Sequence, residues 1–205
     1  MRIAKLNAKI SCCLLLLSLS HSVFAARYQW QRFSFNYPDS WHVTYDAAGR
    51  SGHMVRVEPK TVKSAKVTLL FAIIPLTEAL EAKLTEPQAM YLAAASFAYP
   101  SVKRLANLDD SHSVKANFNR ISVSGQISSG AALSAVVKGS EQTVNAQSFA
   151  YNHNGYVIFG MVVNGGREGG TLTTEGFFSD VTIAYDIVNN LNISPPLPAS
   201  ETTSP

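Results

Sequence analysis

The stretch KVTLLFAII, residues 66–74, is almost continuously apolar and rich in β-branched side chains. A strand with one face in water alternates apolar and polar residues, and this stretch does not. It therefore predicts a strand that is covered on both faces and lies in the middle of a sheet.

The segments before it show the alternation of half-buried strands. From Tyr28 onward, Phe33, Phe35 and Tyr37 point one way, until Pro38-Asp39-Ser40 breaks the run. The next two segments predict a hairpin whose register places the apolar side chains on one face. The expected pairs are Tyr45 with Val55, Thr44 with Arg56, Val43 with Val57 and His42 with Glu58.

Two later segments have helical spacing. Thr85 and Gln88 form a capping box for a helix that should end at Pro100. From a cap at residues 173–174, apolar residues recur at helical spacing as far as Leu191, which predicts a closing amphipathic helix.

Between the two helices the chain predicts an antiparallel meander. Alternation indicates strands at residues 120–127, 131–137, 143–151 and 156–163. The segment Asn152-His153-Asn154-Gly155 is a strong hairpin-turn signal, because Asn-Gly readily takes positive φ. The fold class predicted is α+β, with a twisted antiparallel β-sheet packed by two main helices.

The first 25 residues have the composition of a secretory signal peptide. Arg2, Lys5 and Lys9 precede an apolar run at residues 10–19, and Val23-Phe24-Ala25 is a small-x-small cleavage motif. We therefore expect cleavage after this motif and a periplasmic or secreted chain without a membrane anchor. The expected division is residues 1–25 signal peptide, residues 26–192 a single domain, and residues 193–205 a disordered tail rich in Pro, Ser and Thr.

Removal of the signal peptide changes the charge and the thiol content. Of 17 basic and 14 acidic residues, three basic and no acidic ones lie in the first 25, so 14 of each remain and the formal charge is zero. Such a chain lacks the basic field that nucleic acids or anionic membranes require, and neither is an expected partner. Cys12 and Cys13 are also removed, so the mature chain has no disulfide.

Two short aromatic motifs carry a family resemblance. The segment FNYPDSW, residues 35–41, resembles the opening of PsbP-like domains and of the related DcrB-like bacterial envelope proteins. GYVIFG, residues 155–160, and FFSD, residues 177–180, are similar to that family's closing strand and helix. The resemblance covers most of residues 28–191. It implies a PsbP-like α/β/α sandwich and a non-enzymatic role as an extrinsic subunit, adaptor or binder, and it supplies no catalytic residue.

The best grouping of metal-ligand types is His42 with Glu58 across the hairpin and Asp46 further along the same face. A polar strand face turned to water has the same composition, so we expect no metal site. The stretch Asp109-Asp110-Ser111-His112 holds the residue types of a Ser-His-Asp triad, but neighbours in sequence do not have triad geometry, and a solvated loop is expected.

Two further features receive no role. The glycine-rich run at residues 165–170 matches neither dinucleotide-binding nor P-loop spacing and is expected to be a connection. His153 lies in a turn. The sequence therefore predicts no catalytic, cofactor-binding or metal-binding residue, and no cofactor.

Three functions remain open. The first is a non-catalytic binding module that presents a sheet face, or a groove between a helix and the sheet, to an envelope protein or a small apolar ligand. The second is an envelope hydrolase whose Ser, His and Asp residues meet only on folding. It would be excluded if all four of the candidate histidines, His42, His53, His112 and His153, lay on the open surface. The third is a periplasmic inhibitor or immunity-type protein that neutralises a toxin or lytic enzyme. The resemblance and the missing catalytic signature favour the first over the second, and composition does not separate the third from the first.

Overall fold

The central strand predicted from the sequence is β5 (Val67–Pro75) of a seven-stranded sheet. The computed structural model describes residues 24–49, 52–61, 67–109, 114–139, 141–165 and 174–195. β5 pairs with β4 (His53–Pro59) on one side and with β9 (Tyr156–Asn164) on the other. Phe71 is fully buried on one face and Leu70 is 9% exposed on the other, so the prediction of two-sided burial is confirmed.

The large sheet has the strand order β3-β4-β5-β9-β8-β7-β6, and each neighbouring pair is antiparallel. Its other strands are β3 (Trp41–Ala48), β6 (Lys115–Val123), β7 (Gln126–Val136) and β8 (Thr143–His153). Asn154 and Gly155 join β8 to β9 with φ values of 47° and 82°, as the turn signal predicted. The meander from β6 to β9 is therefore confirmed.

The extent of one meander strand was predicted wrongly. The strand expected at residues 120–127 is the end of β6, a turn and the start of β7. The turn is made by Ser124 and Gly125, whose φ values of 52° and 73° lie in the left-handed region. The apolar alternation continues across the turn, through Ile121, Val123 and Ile127, so the pattern alone does not indicate the turn.

A second, three-stranded sheet was not expected. The single strand predicted from Tyr28 is a hairpin of β1 (Phe24–Trp30) and β2 (Phe33–Pro38), which turns at Gln31 with φ 49°. β10 (Asn192–Ile193) pairs with β2, so the predicted start of the tail at residue 193 falls within a strand. Ile193 is buried, and this burial explains why the folded chain extends past the predicted boundary. β1 includes Phe24 and Ala25, the last two residues of the predicted signal peptide. Residues 1–23 and 196–205 lie outside the described ranges, so cleavage of the signal peptide and the remaining tail stay predictions.

The described part of the chain has three helices, α1 (Glu78–Lys83), α2 (Pro87–Leu105) and α3 (Thr174–Asn189). α1 was not predicted, and Glu86, not Thr85, is the N-cap residue of α2. α2 also continues through Pro100 instead of ending there. Ala98 and Val102 on either side of Pro100 are fully buried against the sheet, and this packing offsets the backbone hydrogen bond that the proline lacks. No helix in these ranges is long and apolar enough to cross a membrane.

The large sheet separates two apolar cores. On one face α2 packs on β7 and β8, over a cluster that includes Leu133, Val144 and Met161. On the other face α3 and the small sheet pack over a cluster that includes Phe35 and the buried Trp41. Helices on both faces of an antiparallel sheet confirm the predicted α+β sandwich.

A row of alternating phenylalanine and glycine crosses the middle of the sheet. Phe71 pairs with Gly160, Gly160 with Phe149, and Phe149 with Gly130. The ring of Phe149 lies directly over Gly160, where a Cβ would meet the ring carbon Cζ at 2.0 Å. The glycine therefore makes the space in which the core aromatic ring lies.

We expect Gly160→Ala to destabilise the chain by about 1–3 kcal/mol, because the new methyl overlaps the Phe149 ring in a closely packed core. Urea unfolding followed by tryptophan fluorescence measures the change. Gly49→Ala is the control, because its new Cβ meets the nearest atom, Gly52 O, at an ordinary 3.5 Å. Phe149→Leu should recover part of the loss in the double variant, and equal stability of Gly160→Ala and the wild type would contradict the packing.

Candidate binding groove

A bulge in β3 decides which residues each face of the sheet presents. Val43 pairs with Val57 and His42 with Glu58, as predicted. The register then shifts between Val43 and Tyr45. Thr44 is the extra residue on the bulged strand, so every side chain beyond it lies on the face opposite to the one expected.

The bulge corrects two predicted pairs. Tyr45 pairs with Arg56 instead of Val55, and Asp46 pairs with Val55. Tyr45 therefore lies on the face that α2 shares, where the Arg56 guanidinium packs over its ring at 5.7 Å. Asp46 is carried to the opposite face, where its half-exposed side chain contacts Tyr28 of the small sheet.

Asp46 joins a polar cluster between the two sheets. The Tyr28 hydroxyl donates to Asp46 Oδ1 at 3.0 Å and lies 2.7 Å from His53 Nε2. His53 Nε2 also contacts Asp46 Oδ1. The Trp30 ring stacks on the imidazole with ring centroids 4.4 Å apart, and His53 is only 5% exposed. The sequence did not predict this cluster, because neither the bulge nor the β1–β2 turn has a clear signal.

The geometry of this cluster is not that of a catalytic triad. In a triad the nucleophile and the carboxylate contact opposite nitrogens of the imidazole. Here Tyr28 and Asp46 both contact Nε2. His53 Nδ1 is buried and has no hydrogen-bond partner among the described residues. The cluster therefore ties β1 to the β3–β4 hairpin rather than preparing a nucleophile.

The bulge separates the best grouping of metal-ligand types found in the sequence. His42 and Glu58 share one face, while Asp46 lies on the other. His42 Nδ1 lies 3.1 Å from the Glu58 backbone oxygen, and Thr68 Oγ1 donates to the Glu58 carboxylate at 2.8 Å. Within the described residues, no three His, Cys, Asp or Glu side chains are grouped closely enough to hold a metal ion.

The other features considered in the sequence lie apart from one another. Asp109 accepts from Lys138 Nζ at 2.8 Å in an exposed ion pair, and residues 110–112 lie outside the described ranges. Gly165 ends β9 with φ 98°, and residues 166–170 are likewise outside. The His153 ring stacks on Tyr151 in the β8–β9 hairpin. His53 is buried, so the four candidate histidines do not all lie on the open surface, and the hydrolase is not excluded on that ground. The contacts of His53 do not form a catalytic triad.

Among the described residues, α2 covers only part of its face of the sheet. α2 packs mainly on β7 and β8, so strands β3 to β5 extend beyond it. A cavity of about 330 Å³ lies between the C-terminal half of α2 and the floor formed by β4, β5 and β9. We call this cavity the α2 groove. It is lined by Arg56, Glu58, Thr68, Leu70, Ser101, Arg104, Leu105, Met161, Val163 and Gly165.

The groove has an apolar floor and a charged rim. Leu70 and Met161 are almost fully buried at its base, and Leu105 is 37% exposed at its wall. Arg56 and Arg104 contribute two positive charges to the lining, against the single carboxylate of Glu58. Such a lining suits an apolar group that carries negative charge beside it.

The apolar surface continues beyond the groove along the same face. Tyr45 is 45% exposed and Met54 is 39% exposed. Register places both on the side of the sheet that carries Arg56 and Glu58, since Ala47 pairs with Met54 and Tyr45 with Arg56. The open half of this face thus combines aromatic, methionine and arginine side chains, the types that are enriched at protein interfaces.

The fold is similar to solved structures at low sequence identity. The solution structure of the PsbP of the cyanobacterium Synechocystis matches with TM-score 0.47 and 14% identity, over 82% of this chain and 92% of that one. LpqN of Mycobacterium tuberculosis, described as involved in cell envelope biogenesis, matches with TM-score 0.46 and 13% identity, over 86% and 88%. A Bacteroides thetaiotaomicron protein matches with TM-score 0.41 and 10% identity, over 83% and 48%.

These similarities concern the fold alone. A PsbP, from the family that the aromatic motifs resemble, is among the matching structures. No protein-family model matches the sequence, and no curated protein does. What the groove does must therefore be argued from its own residues.

The polar cluster predicts a specific alkaline instability. Burial, together with the hydrogen bond to Asp46 and the charge of that carboxylate, raises the pKa of Tyr28 well above its ordinary value of 10.0. Above pH 10 the unfolded chain ionises Tyr28, while the folded chain keeps it protonated. The contribution of Tyr28 to stability is therefore complete below pH 10 and is lost as the pH rises further. The wild type should therefore lose more stability than Tyr28→Phe between about pH 8 and about pH 11.

Urea unfolding at the two pH values measures this difference. Tyr99→Phe is the matched control, because Tyr99 is 39% exposed, and it should behave like the wild type. Equal losses in the wild type and in Tyr28→Phe would show that the Tyr28 hydroxyl is not held as described.

Proposed function

We propose that this chain is a non-catalytic binding module of the cell envelope, periplasmic or secreted, and that a protein partner docks on the α2 groove. The observation that carries the proposal is the incomplete cover of the sheet. Among the described residues, α2 leaves the β3–β5 half of its face without a helix. The groove at that border exposes Leu105, and Tyr45 and Met54 are exposed on the same face of the sheet. Exposed apolar side chains grouped on one face are typical of docking surfaces.

The size of the groove supports a protein partner rather than a large enclosed ligand. A volume of about 330 Å³ is at the small end of ligand pockets and suits one anchoring side chain. Met54 and Tyr45 would then contact the surface around that anchor. This arrangement, a pocket filled by one buried group and surrounded by weaker contacts, is common where a few residues carry most of the binding energy.

The charges of the groove define the chemistry of the partner. Arg56 and Arg104 outnumber Glu58, so a carboxylate next to the apolar anchor would meet favourable potential. Arg56 is held by its packing over Tyr45, which reduces the entropy that it loses when a partner binds. The expected partner surface is an apolar side chain flanked by Asp or Glu.

The absence of catalysis is part of the proposal. The buried histidine, His53, lies on the face of the sheet opposite the groove, and both of its contacts are to one ring nitrogen. His42 lies on the groove face, but it contacts a backbone oxygen and no described nucleophile. No observation favours the hydrolase over the binding module.

Capture from the native envelope tests the docking surface. We expect Leu105→Glu to weaken retention of a stoichiometric partner by roughly 2 kcal/mol, about thirtyfold in Kd, because it places a charge in the apolar pocket. Ile127→Glu is the matched control, since Ile127 is 70% exposed and does not line the groove. Arg56→Glu should weaken binding and reduce its dependence on salt.

The outcomes separate the functions left open by the sequence. Loss of the same partner with Leu105→Glu and not with Ile127→Glu supports the groove, and a toxin or lytic enzyme as that partner would identify the module as an inhibitor. Equal loss in both variants would contradict the proposed surface. Retention of a small apolar molecule without any protein would overturn the choice of a protein partner.

A further inference from the structure

A second cavity lies on the opposite face of the sheet, between α3 and strands β6 to β9. Its volume is about 430 Å³, within the range of small-molecule sites. We call it the amide pocket and define it by its polar side chains. These are Asn117, Ser134, Asn145, Gln147, Asn164 and Tyr185.

The sheet register explains why these side chains meet. Asn164 pairs with Asn145, and Asn145 pairs with Ser134, so three strands present a polar row on one face. In the neighbouring row Gln147 lies between Val162 and Ala132. The small side chain of Ala132 leaves space beside Gln147. Polar groups from several strands thus converge where the apolar core beneath α3 ends.

The helix closes one side of the pocket with apolar surface. Val181 and Tyr185 of α3 both line it, and both are partly buried. Burial raises the pKa of Tyr185 to about 12, so its hydroxyl remains a proton donor at any physiological pH. Asn117 and Asn145 are exposed at the open side of the pocket, whereas Ser134, Gln147 and Asn164 are partly buried, so a ligand can reach these polar groups from solvent while it packs against the helix.

No Asp, Glu, Lys, Arg or His is among the described residues that line this pocket. Lys115 pairs with Ser134 in the same row but does not line the pocket, so a charged ligand would lose hydration without gaining an opposite charge from the lining itself. Each carboxamide offers two N–H donors and a carbonyl acceptor, and each hydroxyl both donates and accepts. Asn119 Nδ2 donates to Gln147 Oε1 at 3.0 Å, which orients the Gln147 amide.

We propose that the amide pocket binds a neutral saccharide unit. Sugar hydroxyls are closely spaced groups that donate and accept, and the two rows of carboxamides match that requirement. The C–H face of a pyranose ring is apolar and packs against an aromatic ring such as that of Tyr185. An extended peptide fits less well, because α3 closes the pocket on one side and the polar groups form two short rows instead of one line.

This site lies on the other side of the sheet from the α2 groove and does not rest on the proposed partner. A glycan and a protein could therefore be bound together, one on each face. The two proposals also fail separately, because Leu105→Glu should leave saccharide binding unchanged.

The test uses the ¹⁵N-labelled processed chain, titrated with maltose and with N,N′-diacetylchitobiose as neutral probes. The side-chain NH₂ signals of Asn145, Gln147 and Asn164 should shift in a saturable manner with at least one probe. Asn145→Ala should weaken the apparent affinity by about tenfold, the value of one or two hydrogen bonds. Asn36→Ala is the matched control, an exposed strand asparagine that does not line the pocket.

Glucuronate tests the neutrality of the site, and we expect it to bind more weakly than either neutral probe. Tyr185→Phe should weaken the neutral probe without changing the folded spectrum. The proposal is overturned if neither neutral probe causes saturable shifts, if glucuronate binds as well as they do, or if Asn145→Ala and Asn36→Ala have equal effects.

Discussion

The two-sided burial of β5 is the constraint on which the rest of the structure depends. Its apolar side chains leave neither face available to water, so each face of the sheet has to carry a layer. The chain supplies one layer from its two ends, the β1–β2 hairpin with α3 and β10, and, among the described residues, the other mainly from α2. A single helix is narrower than a seven-stranded sheet, and the α2 groove lies at the border of the part of the face that α2 does not cover.

One inserted residue then determines what the open face contains. Without the bulge at Thr44, Tyr45 would lie in the core and Asp46 would line the exposed face with His42 and Glu58. The bulge exchanges them. An aromatic ring comes to the open face that the proposed partner would contact, and a half-exposed carboxylate goes to the opposite face, where Tyr28 and His53 contact it. The same local feature thus brings Tyr45 to the open face and separates Asp46 from His42 and Glu58.

The strands and helices with apolar periodicity could be predicted from the sequence, whereas the tight turns and the β-bulge could not. The central strand, the meander and the closing helix follow from apolar periodicity, which is a property of many residues. The turns at Gln31 and Ser124 and the bulge each depend on one or two residues in left-handed or irregular conformations, and the alternation runs across them. A groove between a helix and the sheet was anticipated as a class of site. Its residues were not, because they depend on the bulge and on how far α2 extends past Pro100.

The central claim is that the uncovered part of the α2 face is where this chain meets a partner. The most direct measurement is photo-crosslinking in cells that produce the chain, with a photoreactive residue placed singly at Met54, Leu105, Ile127 and Val136, all exposed apolar positions. The account predicts one discrete adduct shared by Met54 and Leu105 and none at the other two positions. Adducts at Ile127 or Val136, with Met54 and Leu105 remaining unmodified, would contradict it.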